Sequence, residues 1–338
     1  MLKLALNLIK KKPILAVFDV TKRCNSKCNM CSIWHLNPDK SKELSLNQIR
    51  SIFSDLKDFG IHYVFLQGGE PLLRSDIIKI VDLMIELGLK PALITNGLLL
   101  NETFLRELSK RPCRLGVSLD TLSREKYEKI RGVDGLRVVM SNLKIASKLK
   151  HELVWDINAT ITNLNYNELL KLYNFANKIS FHFTACPYNY SLCHVSFKSK
   201  DLVFKNLSAV RDEFIKLNNQ QVKDGLFFDS LFSKEIINYL SGYYGYPCDA
   251  LTRSILVNEQ GFLSPCIEMS PLFDLKKHRI KEVWPKINYN SVINCYKQTP
   301  CFYGCTRLNG SLIKNWKLIL KKMITNPMLI LRYKNKFY

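Results

Sequence analysis

Apolar residues along this chain follow two rhythms that take turns. Runs such as Ile14-Leu15-Ala16-Val17-Phe18-Asp19-Val20 (14–20) and His62-Tyr63-Val64-Phe65-Leu66-Gln67 are short and nearly continuous, the pattern of strands covered on both faces. Between them, apolar residues recur three and four apart, as at Leu46, Ile49, Ile52, Phe53 and Leu56, the pattern of a helix with one buried side. Ser45 and Gln48 form a capping box that opens this helix, and Gly60 ends it. The same reading predicts strands over 91–95, 115–119, 153–161 and 180–185. It predicts helices over about 76–87, 102–110, 123–130, 136–149 and 166–178. Strands alternating with helices of this length imply a parallel sheet with right-handed crossovers. Six such units make either a doubly wound sheet or an incomplete barrel, and periodicity does not choose between them. Residues 190–245 read as mainly helical, and 253–262 reads as a β-hairpin turning near Glu259-Gln260-Gly261.

Composition narrows the class. With 338 residues, 47% of them hydrophobic, the chain has material for one large domain and a small one. Fifty Lys+Arg against 29 Asp+Glu give a net charge of +21, which favours anionic partners: phospholipid headgroups, phosphorylated substrates or nucleic acid. No nucleic-acid-binding module is legible, however. No apolar run is long enough to span a bilayer, and the first residues have too short an apolar core for a signal peptide. The 11 cysteines are therefore expected to be reduced, in a cytoplasmic protein with a possible peripheral place at the inner membrane face.

Cys24, Cys28 and Cys31 stand at the spacing C-x3-C-x2-C directly after the first strand. Thiolates are the preferred ligands of iron–sulfur clusters, and three of them leave one iron of a [4Fe–4S] cluster open. A zinc knuckle with His35 as fourth ligand, or three buried thiols, fits the spacing equally well. The residues that follow change this: Ser32-Ile33-Trp34 after Cys31, then Gly68-Gly69-Glu70-Pro71 at the end of a hydrophobic run. With them the chain resembles the radical S-adenosylmethionine (radical SAM) superfamily from about Leu15 to Pro187, and again in its C-terminal cysteines.

The resemblance implies an α/β fold, a partial (β/α)6 TIM-like barrel, with Cys24, Cys28 and Cys31 holding a [4Fe–4S] cluster whose open iron takes S-adenosyl-L-methionine. It places Met30 near the adenine, where the family usually has an aromatic residue. Gly68 and Gly69 would admit the methionyl amino group, with Glu70 supplying a complementary charge. Ser118 and Asp120 match a strand end that contacts ribose or carboxylate, and Arg131 an arginine suited to pairing that carboxylate. Asn96 reads more simply as a turn residue. These motifs, with Asn158, Thr160 and Thr162, fall at the carboxyl ends of strands, where such folds bind ligands. The implied activity is reductive cleavage to a 5′-deoxyadenosyl radical that abstracts hydrogen from a substrate, fed by an external one-electron reductant such as flavodoxin or ferredoxin.

A second cysteine group follows. Cys248 and Cys266 flank the predicted hairpin, then come Cys295, Cys301 and Cys305, in an arrangement similar to the SPASM/twitch extension of radical SAM enzymes, with Trp284 between. The resemblance implies one auxiliary [4Fe–4S] cluster on Cys248, Cys266, Cys301 and Cys305, with Cys295 in competition; a structural zinc is the alternative. Cys113, Cys186 and Cys193 have no spaced partners and read as core residues, Cys186 being placed to line a substrate pocket. The expected divisions are 1–13 (basic segment), 14–190 (barrel core), 191–245 (helical bridge), 246–310 (SPASM/twitch-like domain) and 311–338 (basic amphipathic tail). The tail carries apolar residues at helical spacing opposite Lys314, Lys317 and Lys321. It is expected either to close the barrel or cap the auxiliary domain, or to lie on an anionic bilayer. The substrate is expected to be a lipid or glycan precursor, a peptide, or a nucleotide or RNA; with the first strand near Ile14 there is no room for the leader-binding domain of peptide-maturing relatives. The rival from another class is a basic zinc-containing binding protein that uses its cysteines structurally.

Overall fold

The computed structural model describes residues 12–36, 38–149, 155–189, 199–244, 248–298, 300–304 and 315–326. Six parallel strands form its first part: β1 (Leu15–Thr21), β2 (Tyr63–Gly68), β3 (Lys90–Thr95), β4 (Arg114–Ser118), β5 (Trp155–Ile161) and β6 (His182–Pro187). The intervening helices are α1 (Leu46–Phe59), α2 (Ile77–Glu86), α3 (Glu102–Ser109), α4 (Arg124–Arg131), α5 (Leu136–Lys148) and α6 (Leu169–Lys178). Each expected strand and helix appears within two residues of its expected bounds, except that residues 166–168 form a 3-10 turn before α6. Every residue of β1 is buried, as a strand covered on both faces requires. The Ser45 capping box and the left-handed Gly60 delimit α1 as expected.

After β6 come two helices, α7 (Leu207–Lys223) and α8 (Phe227–Leu240), packed against each other. The expected hairpin is present as β7 (Ser254–Val257) and β8 (Phe262–Ser264), with the short β9 (Phe273–Asp274) beside it. These strands are not a separate sheet. β7 pairs in parallel with β1, giving one sheet in the order β6-β5-β4-β3-β2-β1-β7-β8-β9. The fold is thus a mostly parallel α/β sheet, curved around an open-sided lumen.

Beyond β9 lie the short helices α9 (Ile280–Val283) and α10 (Asn290–Gln298). Trp284 packs at a tilt against Phe59 of α1, with ring centroids 4.8 Å apart, so it serves as core between α1 and this segment. The last described helix, α11 (Trp316–Thr325), has no buried residue, and Ile319 and Met323 are half-buried. Among the described residues no helix is long and apolar enough to cross a membrane.

Candidate functional site

The loop after β1 carries Cys24, Cys28 and Cys31, and three neighbours fix its course. The C-terminal end of α4 is the first: Asn29 N donates to Ile130 O (2.9 Å) and Asn29 Nδ2 to Lys129 O (2.7 Å). A Cβ on Gly132 would lie 2.1 Å from Lys27 O, so only glycine lets this helix end approach the loop. The second is Asn96 at the end of β3, whose Nδ2 donates to Asn25 Oδ1 (2.7 Å) and Ser26 Oγ (3.3 Å). The third is Trp34, whose indole donates to Cys28 O (3.2 Å). Asn96, read from the sequence as a turn residue, therefore anchors the cysteine loop; the signal was its place at a strand end.

Gly68-Gly69 is where the end of β2 meets the start of that loop. Gly69 N donates to Thr21 O and Glu70 N to Arg23 O, both at 2.7 Å. Cβ atoms would fall 2.0 Å from Thr21 O at Gly68 and 2.1 Å from Arg23 O at Gly69. The glycines are thus required by the approach of one backbone to another, whatever ligand they also face. Glu70 is fully buried, and its carboxylate accepts hydrogen bonds from Thr95 Oγ1 (2.7 Å), Asn96 N (2.7 Å) and Leu72 N (3.1 Å). Burial pushes this carboxyl's pKa up against those bonds. The charge expected to face a ligand instead ties β2 to β3 behind the wall.

These elements enclose a cavity of about 440 Å³ at the carboxyl end of the parallel strands. Cys24, Cys28, Cys31, Met30, Ser118 and Arg131 line it, together with Gly68 and Gly69. Met30 joins an apolar patch with Ile130, Tyr188 and Leu202. Arg131 Nε donates to Asp120 Oδ2 (2.5 Å), and its guanidinium also reaches the Cys28 sulfur. Asp120 is itself fully buried and accepts Thr160 N (2.8 Å), so it aims Arg131 from behind the wall.

Of the opposite wall, Asn158, Thr160 and Cys186 are read from the sequence as facing a ligand, whereas Arg114, Asp156 and Thr184 are not. Arg114, Asp156, Asn158, Thr160, Thr184 and Cys186, from β4, β5 and β6, all face the cavity. They alternate with buried apolar residues, a period-2 polar stripe inside strands otherwise taken as core. Arg114 pairs with Asp156 (Nη2 to Oδ1, 2.6 Å), and a Cβ on Gly116 would lie 2.3 Å from Asn158 Nδ2. The lumen below β1 is apolar by contrast, filled by Leu15, Val17 and Leu256 with Tyr63 and Phe65 against them. Cys186 lines the pocket as expected, and a Cβ on Gly304 would lie 3.0 Å from its sulfur, so the 300–304 loop abuts this wall. Asn189 holds that loop through two bonds to the Phe302 backbone (2.9 and 2.8 Å).

The donor set suits an iron–sulfur cluster: three sulfurs on one clamped loop, on the wall of one cavity, beside a cationic arginine. Burial pushes all three thiols up, Cys31 to about 11. His35 is exposed and stacked on Trp34, ring centroids 3.4 Å apart. Among the described residues, no three His, Cys, Asp or Glu side chains, Cys24, Cys28 and Cys31 included, stand close enough together to hold a metal ion as they are. Cys248, Cys266, Cys295 and Cys301 are half-buried, and Cys193 and Cys305 lie outside the described residues.

The model of the Radical SAM superfamily matches residues 18–176. An uncharacterised protein of Methanocaldococcus jannaschii is 32% identical over 209 residues, 60% of this chain and 68% of that one. A protein of Methanococcus vannielii named probable GTP 3′,8-cyclase is 27% identical over 261 residues, 73% of this chain and 82% of that one. The crystal structure of Streptococcus suis SuiB bound to S-adenosylmethionine has a TM-score of 0.66 at 19% identity, covering 83% of this chain and 68% of that one, and shares the fold. With the cysteine loop and the glycine pair inside the matched residues and a fold shared with that neighbour, the chain belongs to the radical SAM superfamily of enzymes, which implies a [4Fe–4S] cluster and S-adenosylmethionine.

Proposed function

We propose that this enzyme cleaves S-adenosylmethionine reductively and abstracts hydrogen from a polar lipid or glycan precursor held against β4–β6. The observation that carries this reading is the two-sided cavity: three thiols on one wall, and hydroxyl, amide and guanidinium groups on the other. Cys24, Cys28 and Cys31 would hold the cluster. When bound, the cluster and S-adenosylmethionine supply a 5′-deoxyadenosyl radical able to take a hydrogen atom from carbon.

The remaining work is done by the chain's own groups. Arg131, oriented by Asp120, has guanidinium donors to offer a carboxylate at the cavity wall. Ser118 presents a hydroxyl beside it, and the Met30 patch gives a flat base an apolar surface. Across the cavity, Asn158, Thr160 and Thr184 suit a substrate rich in hydroxyls, and the paired Arg114 and Asp156 orient its polar end. Phe232 and Gly304 complete the cavity lining beside Cys186. In the C-terminal region, Cys248, Cys266, Cys301 and Cys305, with Cys295 in competition, would hold an auxiliary [4Fe–4S] cluster.

The test is anaerobic. Reconstituted, reduced protein is given S-adenosylmethionine and perdeuterated cell extract, split into lipid and peptide fractions, and 5′-deoxyadenosine is collected. Faster release with deuterium incorporated from the lipid fraction supports the assignment. Stimulation by the peptide fraction alone, or by neither, contradicts the substrate class. For the auxiliary site, a Cys248→Ala, Cys266→Ala variant is expected to fall from about eight iron atoms per chain to about four; an unchanged iron content contradicts it.

A further inference from the structure

The last described helix has an amphipathic surface that no other described helix or strand covers. At 100° per residue along α11, Trp316, Ile319, Leu320, Met323 and Ile324 fall on one arc, and Lys317, Lys321 and Lys322 fall outside it. Ile319 and Met323 are half-buried. The rest of the arc is open to solvent: Trp316 is 55% exposed, Leu320 50% and Ile324 70%. Among the described elements α11 makes no more than grazing contact with any other helix or strand. A helix of this composition gains little from its own apolar side in water, since hydrophobic stabilisation requires that the surface be removed from solvent.

Charge says what covers it. Residues 311–338 contain seven Lys/Arg and no Asp or Glu, in a chain that already carries +21. An acidic protein or a nucleic acid would satisfy the lysines and leave the Trp316–Leu320–Ile324 stripe wet. An anionic bilayer surface satisfies both at once: phosphate for the lysines, the acyl boundary for the stripe, and the headgroup level for an indole. At ten residues α11 is about 15 Å long, far short of the hydrocarbon thickness, so it would lie in the interface plane and not cross it.

We propose that α11 is an interfacial membrane anchor that docks the enzyme on anionic phospholipid. This does not depend on the chemistry assigned to the cavity, and its test reads binding alone. Full-length holoprotein is co-sedimented with phosphatidylcholine vesicles and with vesicles containing about one third phosphatidylglycerol. Binding is expected to be at least about tenfold tighter to the anionic vesicles and to weaken with salt. Two variants separate the contributions: Trp316→Ala, Leu320→Ser, Ile324→Ser removes the stripe, and Lys317→Glu, Lys321→Glu, Lys322→Glu reverses the charge. Each is expected to lose at least about tenfold in vesicle binding while thermal unfolding of the fold stays where it is, because no buried residue is touched. Equal affinity for neutral and anionic vesicles overturns the proposal. So does undiminished binding by the stripe variant, which would reduce α11 to a polybasic adsorber, and so does retention of RNA or acidic protein in place of vesicles.

Discussion

Glu70 keeps three hydrogen-bond donors on a carboxylate that solvent does not reach, and by doing so it fixes where β2, β3 and the cysteine loop stand relative to one another. Replacing it with glutamine leaves one acceptor oxygen and turns an amide NH2 toward donors. Glu70→Gln is therefore expected to lower stability by about 1–3 kcal/mol, read as a lower urea midpoint at unchanged slope. Gly69 and Gly242 separate two reasons for glycine. A Cβ on Gly242 meets nothing within 4 Å, so Gly242→Ala is charged only for its left-handed backbone (φ +79°), about 1–2 kcal/mol. At Gly69 the Cβ would collide with the Arg23 carbonyl, and Gly69→Ala is expected to depress the thermal midpoint much further and to reduce iron loading. An equal effect from the two substitutions would contradict the role given to the backbone approach. The motif residues were legible in the sequence, but not what most of them touch: spacing names Gly69 and Glu70, and only the folded chain shows that Arg23, Thr95 and Asn96 are their partners.

At the scale of elements, carboxylates of α1 add to the ties between the barrel and the segment after β9, Asp58 pairing with Arg279 Nη2 (3.2 Å) beside the nearly buried Asp55. Asp55 on α1 accepts Ile280 N (2.6 Å), capping α9, and Arg279 Nε (3.2 Å). Asp55 is nearly buried, so its loss strands a helix N-terminus without a partner. Asp55→Ala is expected to raise hydrogen exchange across 275–287 while β2–β5 stay protected; uniform exchange across the chain would show that α9 unfolds only with the barrel. Helix limits were legible because their signals are local: Ser45 with Gln48, and Gly60, each act within a turn. That β7 would pair with β1 was not, because a strand's partner depends on contacts more than two hundred residues apart, as between Leu15 and Ser254. Arg114, Asp156 and Thr184 in the polar stripe of β4–β6 went unread for a related reason: a strand buried on both faces looks apolar until the sheet curves and one face becomes a lumen.

For the molecule as a whole, the curvature of the sheet is what turns separate motifs into a site, since it brings the cysteine loop, the end of α4 and the far strands around one cavity. The basic charge is carried to a surface helix that this cavity does not need. The central claim is that Cys24, Cys28 and Cys31 together hold the cluster that makes S-adenosylmethionine cleavable here. It is tested most directly by counting 5′-deoxyadenosine released under dithionite from reconstituted wild type and from a Cys24→Ala, Cys28→Ala, Cys31→Ala variant. The account predicts a brown wild-type protein that releases 5′-deoxyadenosine, and a variant of similar fold that releases none above background. A variant that retains the same iron and the same release would contradict it.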